Sequence, residues 1–314
     1  MMQLNATLGE RSPERATRVL SALLVAYNLA LAGIWISLSA RWSAAPWLAL
    51  SHVAAAAAAL FAARRQRDSR ERIAIVDLLP LLLLGAFWAE LRPLFSLLHT
   101  STLDGSIVAL EKSVFGFNVH AVWWHAMPRL RGVMELLYFG YFPGEIAILA
   151  YVAIRMEAAA FRELLLRGVV TYLVCDSIYI AIPTLGPRAV QTGLEANAAG
   201  HAGGVFQFMN DALRSLGDSP GTAFPSSHVA GILTVAIAAR ATGNSRFGNI
   251  MTALGIGVSI ATVYTQNHYL LDAIGGAVLA VVLQYGLMPV LLGVRRMEPE
   301  LEQAGVRALN VSEH

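Results

Sequence analysis

Apolar residues gather into eight runs of 16 to 25 positions, at 19–40, 46–63, 73–94, 132–154, 164–183, 225–240, 247–265 and 269–293. One bilayer crossing takes about 20 apolar residues, so the pattern predicts an all-α integral membrane protein with about eight transmembrane helices. The first run is longer than the about 7–15 apolar residues of a secretory signal and reads as an uncleaved span. The second, rich in alanine, is the weakest of the set. Between the runs two stretches repeat at helical spacing instead. Leu103, Ile107, Leu110 and Val114 recur beside Asp104, Glu111 and Lys112, and Val205, Met209, Leu213 and Leu216 form a second stripe. Both predict amphipathic helices lying in the membrane interface, and the pair Trp123–Trp124 suits the headgroup belt.

Composition agrees with the pattern. The 314 residues are 56% hydrophobic and 14% charged, with a mean hydropathy of +0.56, whereas a soluble domain carries about 25% charged residues. The charges are distributed unevenly between the flanks. Arg11, Arg15 and Arg18, five arginines between runs two and three, Arg155, Arg162, Arg167, Arg240, Arg246 and three in the tail make 16 on one side. Arg41, Arg92, Lys112, Arg129, Arg131, Arg188 and Arg214 make 7 on the other. By the positive-inside rule both termini are cytoplasmic and the loop at 184–223 faces outward. Lys112 is the one lysine among 23 basic residues, the usage of a GC-rich bacterial genome, which points to a bacterial inner membrane. Cys175, the single cysteine, rules out an internal disulfide and a thiolate cluster and reads as a small core residue. No nucleic-acid motif is present.

The candidate chemistry sits at 224–276. Phe224-Pro225-Ser226-Ser227-His228 opens a stretch of two apolar runs, and Asn267-His268-Tyr269-Leu270-Leu271-Asp272 follows the second of them. The histidines are 40 positions apart, two crossings of about 20 residues, so the chain returns His268 to the face where His228 began. His268 and Asp272, at i and i+4, share a helix face. A carboxylate on one ring nitrogen fixes the tautomer and makes the other nitrogen a nucleophile. A second imidazole can protonate a leaving oxygen. Ser226 and Ser227 cap a helix start whose free N–H groups attract anions. Arg188, leaving the fifth run on the same face, offers a planar fork for phosphate oxygens. Each has a plainer reading: a polar pair joining helices, a cap, and a snorkelling anchor.

These motifs resemble the second and third signatures of the type 2 phosphatidic-acid phosphatase superfamily. The third, running from Tyr264 through Asp272 into Gly275-Gly276, is most similar to the inositol-phosphoceramide synthase (inositolphosphotransferase) branch. Leu110 to Gly116 and Glu135-Leu136-Leu137-Tyr138 are similar to segments of that branch, and the resemblance covers about 103–290. It implies a six-helix phosphatase-like bundle at 73–293 as the catalytic core. Residues 1–72 would then add a tail and two helices, and 294–314 a polar cytoplasmic tail. It further implies that His268 attacks phosphorus to give a phosphohistidine, that Asp272 orients it, and that His228 protonates the leaving group. The substrate would be a lipid phosphate or phospholipid headgroup, with water or a lipid alcohol as acceptor and neither metal nor other cofactor. Two family cations are missing. No lysine precedes Pro187-Arg188, and Thr262 stands where an arginine is usual six positions before the histidine. Each good donor is worth about 3 kcal/mol, so Arg129, Arg131 or Lys112 would have to compensate.

Two other classes compete. Two histidines and a carboxylate can bind a divalent ion, giving a metal-dependent hydrolase. Glu90, Glu135 and Glu145 within the spans could instead mark the path of a carrier.

Overall fold

A computed structural model describes residues 13–68, 73, 75–190 and 204–293. The predicted cytoplasmic tail at 294–314, Arg11 and the part of the long loop at 191–203 lie outside the described residues.

The spans form helices where the apolar runs predict them. These are α1 (Pro13–Ser37), α2 (Ala45–Asp68), α3 (Leu79–Leu98), a pair α6 (Arg131–Phe139) and α7 (Tyr141–Arg155), and α8 (Ala158–Ala181). After the long loop come α11 (Ser227–Ala241), α12 (Ser245–Tyr264) and α13 (Leu270–Val281), which continues through a π-helical segment, Val282–Leu287, into α14 (Met288–Leu292). Between them lie the shorter α4 (Asp104–Phe115), α5 (Val119–Ala126), α9 (Pro187–Val190) and α10 (Gly204–Gly217). Among the described residues, seven helical stretches are long and apolar enough to cross a membrane. The remaining predicted span, the sixth in order and here α11, has 15 residues, about 22 Å of helix against a hydrocarbon core of about 30 Å. It is the central helix, packed against α7, α8, α12 and α13, with small residues such as Ala230, Gly231, Ala238 and Ala239 buried along it. A helix enclosed by protein does not have to match the bilayer.

Two boundaries moved because charged residues found partners. The fifth span starts at Ala158, six positions before the predicted 164, because Arg162 pairs with Asp77 (Nε to Oδ1 2.9 Å) and Arg167 with Glu163 (2.6 Å) inside the bundle. Asp77 lies in a 3-10 turn, Ile75–Leu78, so α3 begins later than 73 and ends at Leu98. Arg162 and Asp77 are 2% and 0% exposed, and removing one partner of such a pair strands the other charge. Arg162→Ala is therefore expected to lower stability by about 3–5 kcal/mol, read as a drop in the thermal midpoint of the detergent-solubilised protein.

The N-terminal pair docks through a polar network. Glu90 on α3 accepts from Trp35 Nε1 (2.7 Å) and bonds His52 Nε2 (2.7 Å), whose Nδ1 meets Asn28 (2.9 Å). At the far end Arg15 donates to the carbonyls of Leu291 (2.7 Å) and Val290 (3.1 Å), placing the start of α1 beside the end of α14.

The two amphipathic helices exist, and their apolar faces point away from the bundle. On α4 the exposed positions are Leu110 and Val114, whereas Asp104 and Glu111 are buried. On α10 Val205 and Phe208 are exposed, while Gln207 and Asn210 are buried. A lipid-facing helix presents its apolar side outward, so polar residues are left to hold it to the protein.

Candidate active site

α11 and α13 start at the same end of the bundle and close against each other there. Ser226 N donates to the Asp272 carbonyl (2.9 Å). Gly276 makes the approach possible, since a side chain there would strike the Ser226 carbonyl, which is backbone and cannot yield. The contact brings the imidazoles of His228 and His268 to 5.6 Å between ring centroids, in an edge-to-face arrangement.

His268 is oriented first by backbone. Its Nδ1 lies 2.9 Å from the Ala223 carbonyl and 3.5 Å from Asp272 Oδ2. A carbonyl only accepts, so Nδ1 carries the proton and the lone pair of the neutral ring sits on Nε2. Asp272 is thus an electrostatic neighbour rather than the direct hydrogen-bond partner that the i, i+4 spacing predicts. Its Oδ2 is held by Tyr269 N at 2.8 Å. His228 is enclosed by the rings of Tyr138 and Tyr141 (centroids 5.1 and 4.6 Å). Its Nε2 meets the Tyr138 hydroxyl at 3.0 Å, and its buried Nδ1 has no protein partner.

The helix starts are less open to an anion than the sequence suggests. Ser226 is the N-cap of α11, its hydroxyl oxygen accepting from Val229 N (3.3 Å), and Ser227 N donates to the Tyr179 hydroxyl (3.1 Å). At α13, Asp272 takes Tyr269 N and Glu111 accepts from Leu270 N (3.4 Å). Carboxylates already occupy that positive end. Burial raises Glu111 above the ordinary carboxyl range, opposed by its bonds from Leu270 and Val119. What the serines can still offer phosphate is their hydroxyl protons.

The cations come from two short helices of the long loop at 184–223. Arg188 donates through Nε to the Thr265 carbonyl (2.9 Å), with Asp211 at 3.3 Å and Glu135 at 3.6 Å. Burial lowers its pKa from the ordinary guanidinium value, the charge of Arg214 adding to this and Glu135 and Asp211 opposing it. Arg214, on the interfacial helix α10, lies over the Tyr138 ring (6.0 Å) and donates to Asn267 Oδ1 (3.1 Å) and to Asp211. It lines the same cavity as His228, a role that its place among the flank charges in the sequence does not show. The proposed substitutes are elsewhere: Arg131 stacks on Trp124 (4.3 Å), and Lys112 and Arg129 are exposed. Thr262, at the family's arginine position, is fully buried with no partner for its hydroxyl.

A cavity of about 510 Å³ opens beside the pair, lined by His228, Ser227, Arg214, Asp218 and Asn210 among others; His268, Asp272, Ser226 and Arg188 do not line it. That volume is ordinary for a small-molecule site. Burial raises the Asp218 carboxyl, against the pull of Arg214 and His268.

A family model described as the PAP2 superfamily matches residues 105–286, more than half of the chain. The chain belongs to the PAP2 superfamily. Neither a curated protein nor a solved structure matches it. The superfamily is an all-α membrane fold whose members are phosphatases and phosphotransferases, so this protein is a multi-pass membrane enzyme of phosphatase type. The match is at the level of the superfamily and does not select the inositol-phosphoceramide synthase branch.

The three acids that suggested a carrier are each held at a separate place. Glu90 joins α1 and α2, Glu135 accepts from Asn210 Nδ2 (2.7 Å), and Glu145 accepts from the Tyr172 hydroxyl. Among the described residues, no group of three or more His, Cys, Asp or Glu side chains is arranged to hold a metal ion.

Proposed function

We propose that this PAP2 protein transfers phosphoryl or phospho-headgroups of membrane lipids through a phosphohistidine on His268, on the extracytoplasmic face. The observation that carries the reading is the tethering of His268 Nδ1 to the Ala223 carbonyl, which leaves the Nε2 lone pair available 5.6 Å (ring to ring) from a second imidazole. In the first step Nε2 bonds to phosphorus, the bond from phosphorus to the lipid oxygen breaks, and that oxygen takes a proton from His228. For this step His228 is the imidazolium, its Nε2–H donating to the Tyr138 oxygen and its transferable proton on Nδ1, the nitrogen without a protein partner, and loss of that proton leaves the neutral imidazole. In the second step water or a lipid alcohol gives its proton back to His228 while its oxygen displaces His268.

Arg214 and Arg188 stabilise the charge on the equatorial oxygens, assisted by the hydroxyls of Ser226 and Ser227. Asp272 stabilises the imidazolium character that His268 gains. The orientation, with both termini inside, rests on the 16:7 distribution of basic residues, and the arginine-rich usage favours a bacterial inner membrane. The domain reading follows: 73–293 as the catalytic unit, with α1 and α2 docked as an addition.

Incubation of purified protein with lipid phosphates and phospholipids in EDTA tests the reading by separating free phosphate from new headgroup-bearing lipid. Product in either form supports it, and absence of both across a broad lipid panel sinks it. Arg214→Ala is expected to cut kcat by about 100- to 1,000-fold. Arg214→Lys should recover only part of this, since an ammonium lacks the fork.

A further inference from the structure

The cavity beside His228 contains a carboxyl group that the phosphoryl chemistry leaves unused. Asp176 lies on α8, lines the cavity, is 3% exposed, and makes no hydrogen bond or ion pair with any other described residue. Three polar residues of the same cavity, Tyr172, Glu145 and Tyr141, bond one another instead. Tyr172, one turn earlier, donates to Glu145 and bonds Tyr141, and Gly231 admits this cluster because a side chain there would collide with Tyr172 and Glu145. An unpaired carboxyl in an apolar interior is costly, and a ligand that donates to it offsets that cost.

The surroundings say what kind of ligand. Leu81, Leu84 and Trp88 of α3, with Phe142 and Leu213, make the walls apolar. A narrower cavity of about 60 Å³ shares Leu81, Leu84, Glu145 and Tyr172 and reaches Leu164 and Leu165. From Asp176 to Leu164 is about 18 Å along the helix, a slot suited to one alkyl chain. Asp176 itself lies about 7.5 Å below the site end of α8, the depth of the first few carbons under a phosphate held at His228 and His268. Phosphate oxygens and ester carbonyls only accept hydrogen bonds, so a lipid joined solely through esters would leave Asp176 unpaired.

We propose that Asp176 is a selectivity residue that receives a hydrogen-bond donor, hydroxyl or amine, carried on the substrate's alkyl chain close to the phosphate. This rests on the reading of the site as a lipid phosphoryl-transfer centre.

Equilibrium binding to full-length His268→Ala protein in detergent tests it without requiring turnover. The probes are hexadecyl phosphate and two relatives bearing a hydroxyl or an amine on the carbon next to the phosphate-bearing one. Both relatives are expected to bind at least about tenfold more tightly than the plain chain, and whichever binds better identifies the donor. Adding Asp176→Ala should erase the difference, while Asp176→Asn keeps part of it because the amide oxygen still accepts. Equal binding of the three lipids overturns the proposal, as does a preference that survives Asp176→Ala. Failure of the underlying reading looks different: wild-type protein would keep the preference yet form no phosphohistidine.

Discussion

His268→Ala is expected to abolish turnover, with kcat for a lipid phosphate falling by at least about 10,000-fold, as nucleophile removal does elsewhere. The proposed reason is covalent. No other described side chain combines a lone pair fixed by a backbone carbonyl with a second imidazole across from it. Asp272→Asn should cost less, because the Ala223 carbonyl still holds Nδ1 protonated and the loss is confined to charge stabilisation at 3.5 Å. Comparing the two rates by phosphate or lipid-product release separates a nucleophile from an electrostatic neighbour. Equal losses would mean that Asp272, not the backbone, sets the tautomer.

His228→Ala is expected to have the second-largest effect, one that depends on the leaving group. A general acid contributes about 100- to 10,000-fold when the departing oxygen is a poor leaving group, as in an alkyl phosphate. A nitrophenolate leaves without a proton, so the same variant should retain most of the rate of the first nitrophenolate release, while turnover stays low because the second step has lost its base. Burst kinetics on the two esters checks this. A uniform loss on both would assign His228 to packing among Tyr138, Tyr141 and Phe142 rather than to proton transfer.

The pairing of His228 with His268 was legible because helix length is a ruler: two crossings must return the chain to its starting face. The same ruler placed the spans to within a few residues at their ends, and one end moved where Arg162 and Glu163 stayed helical by pairing inside the bundle. The cradle was much harder to read. Periodicity in 205–216 predicts an amphipathic helix but not which face meets protein, and here the polar face does, carrying Arg214 and Asn210 inward. Residue types at the helix starts suggested open anion sites. The capping carboxylates come from Glu111, 159 positions before Leu270, and from Asp272 folding back on Tyr269, and no local pattern shows such a long-range contact. Asp176, an acid inside the run at 164–183, carries the same signal as Glu90, Glu135 and Glu145, but nothing in the sequence shows that it lines a cavity.

The most direct test of the central claim is to quench the protein with acid-free denaturant seconds after adding a radiolabelled lipid phosphate and to map the labelled peptide. The account predicts one acid-labile, alkali-stable phosphate on His268, absent in His268→Ala and accumulating in His228→Ala when nitrophenyl phosphate is the donor. Turnover by wild-type protein with no label on His268 at any quench time, or with label on another residue, would contradict it.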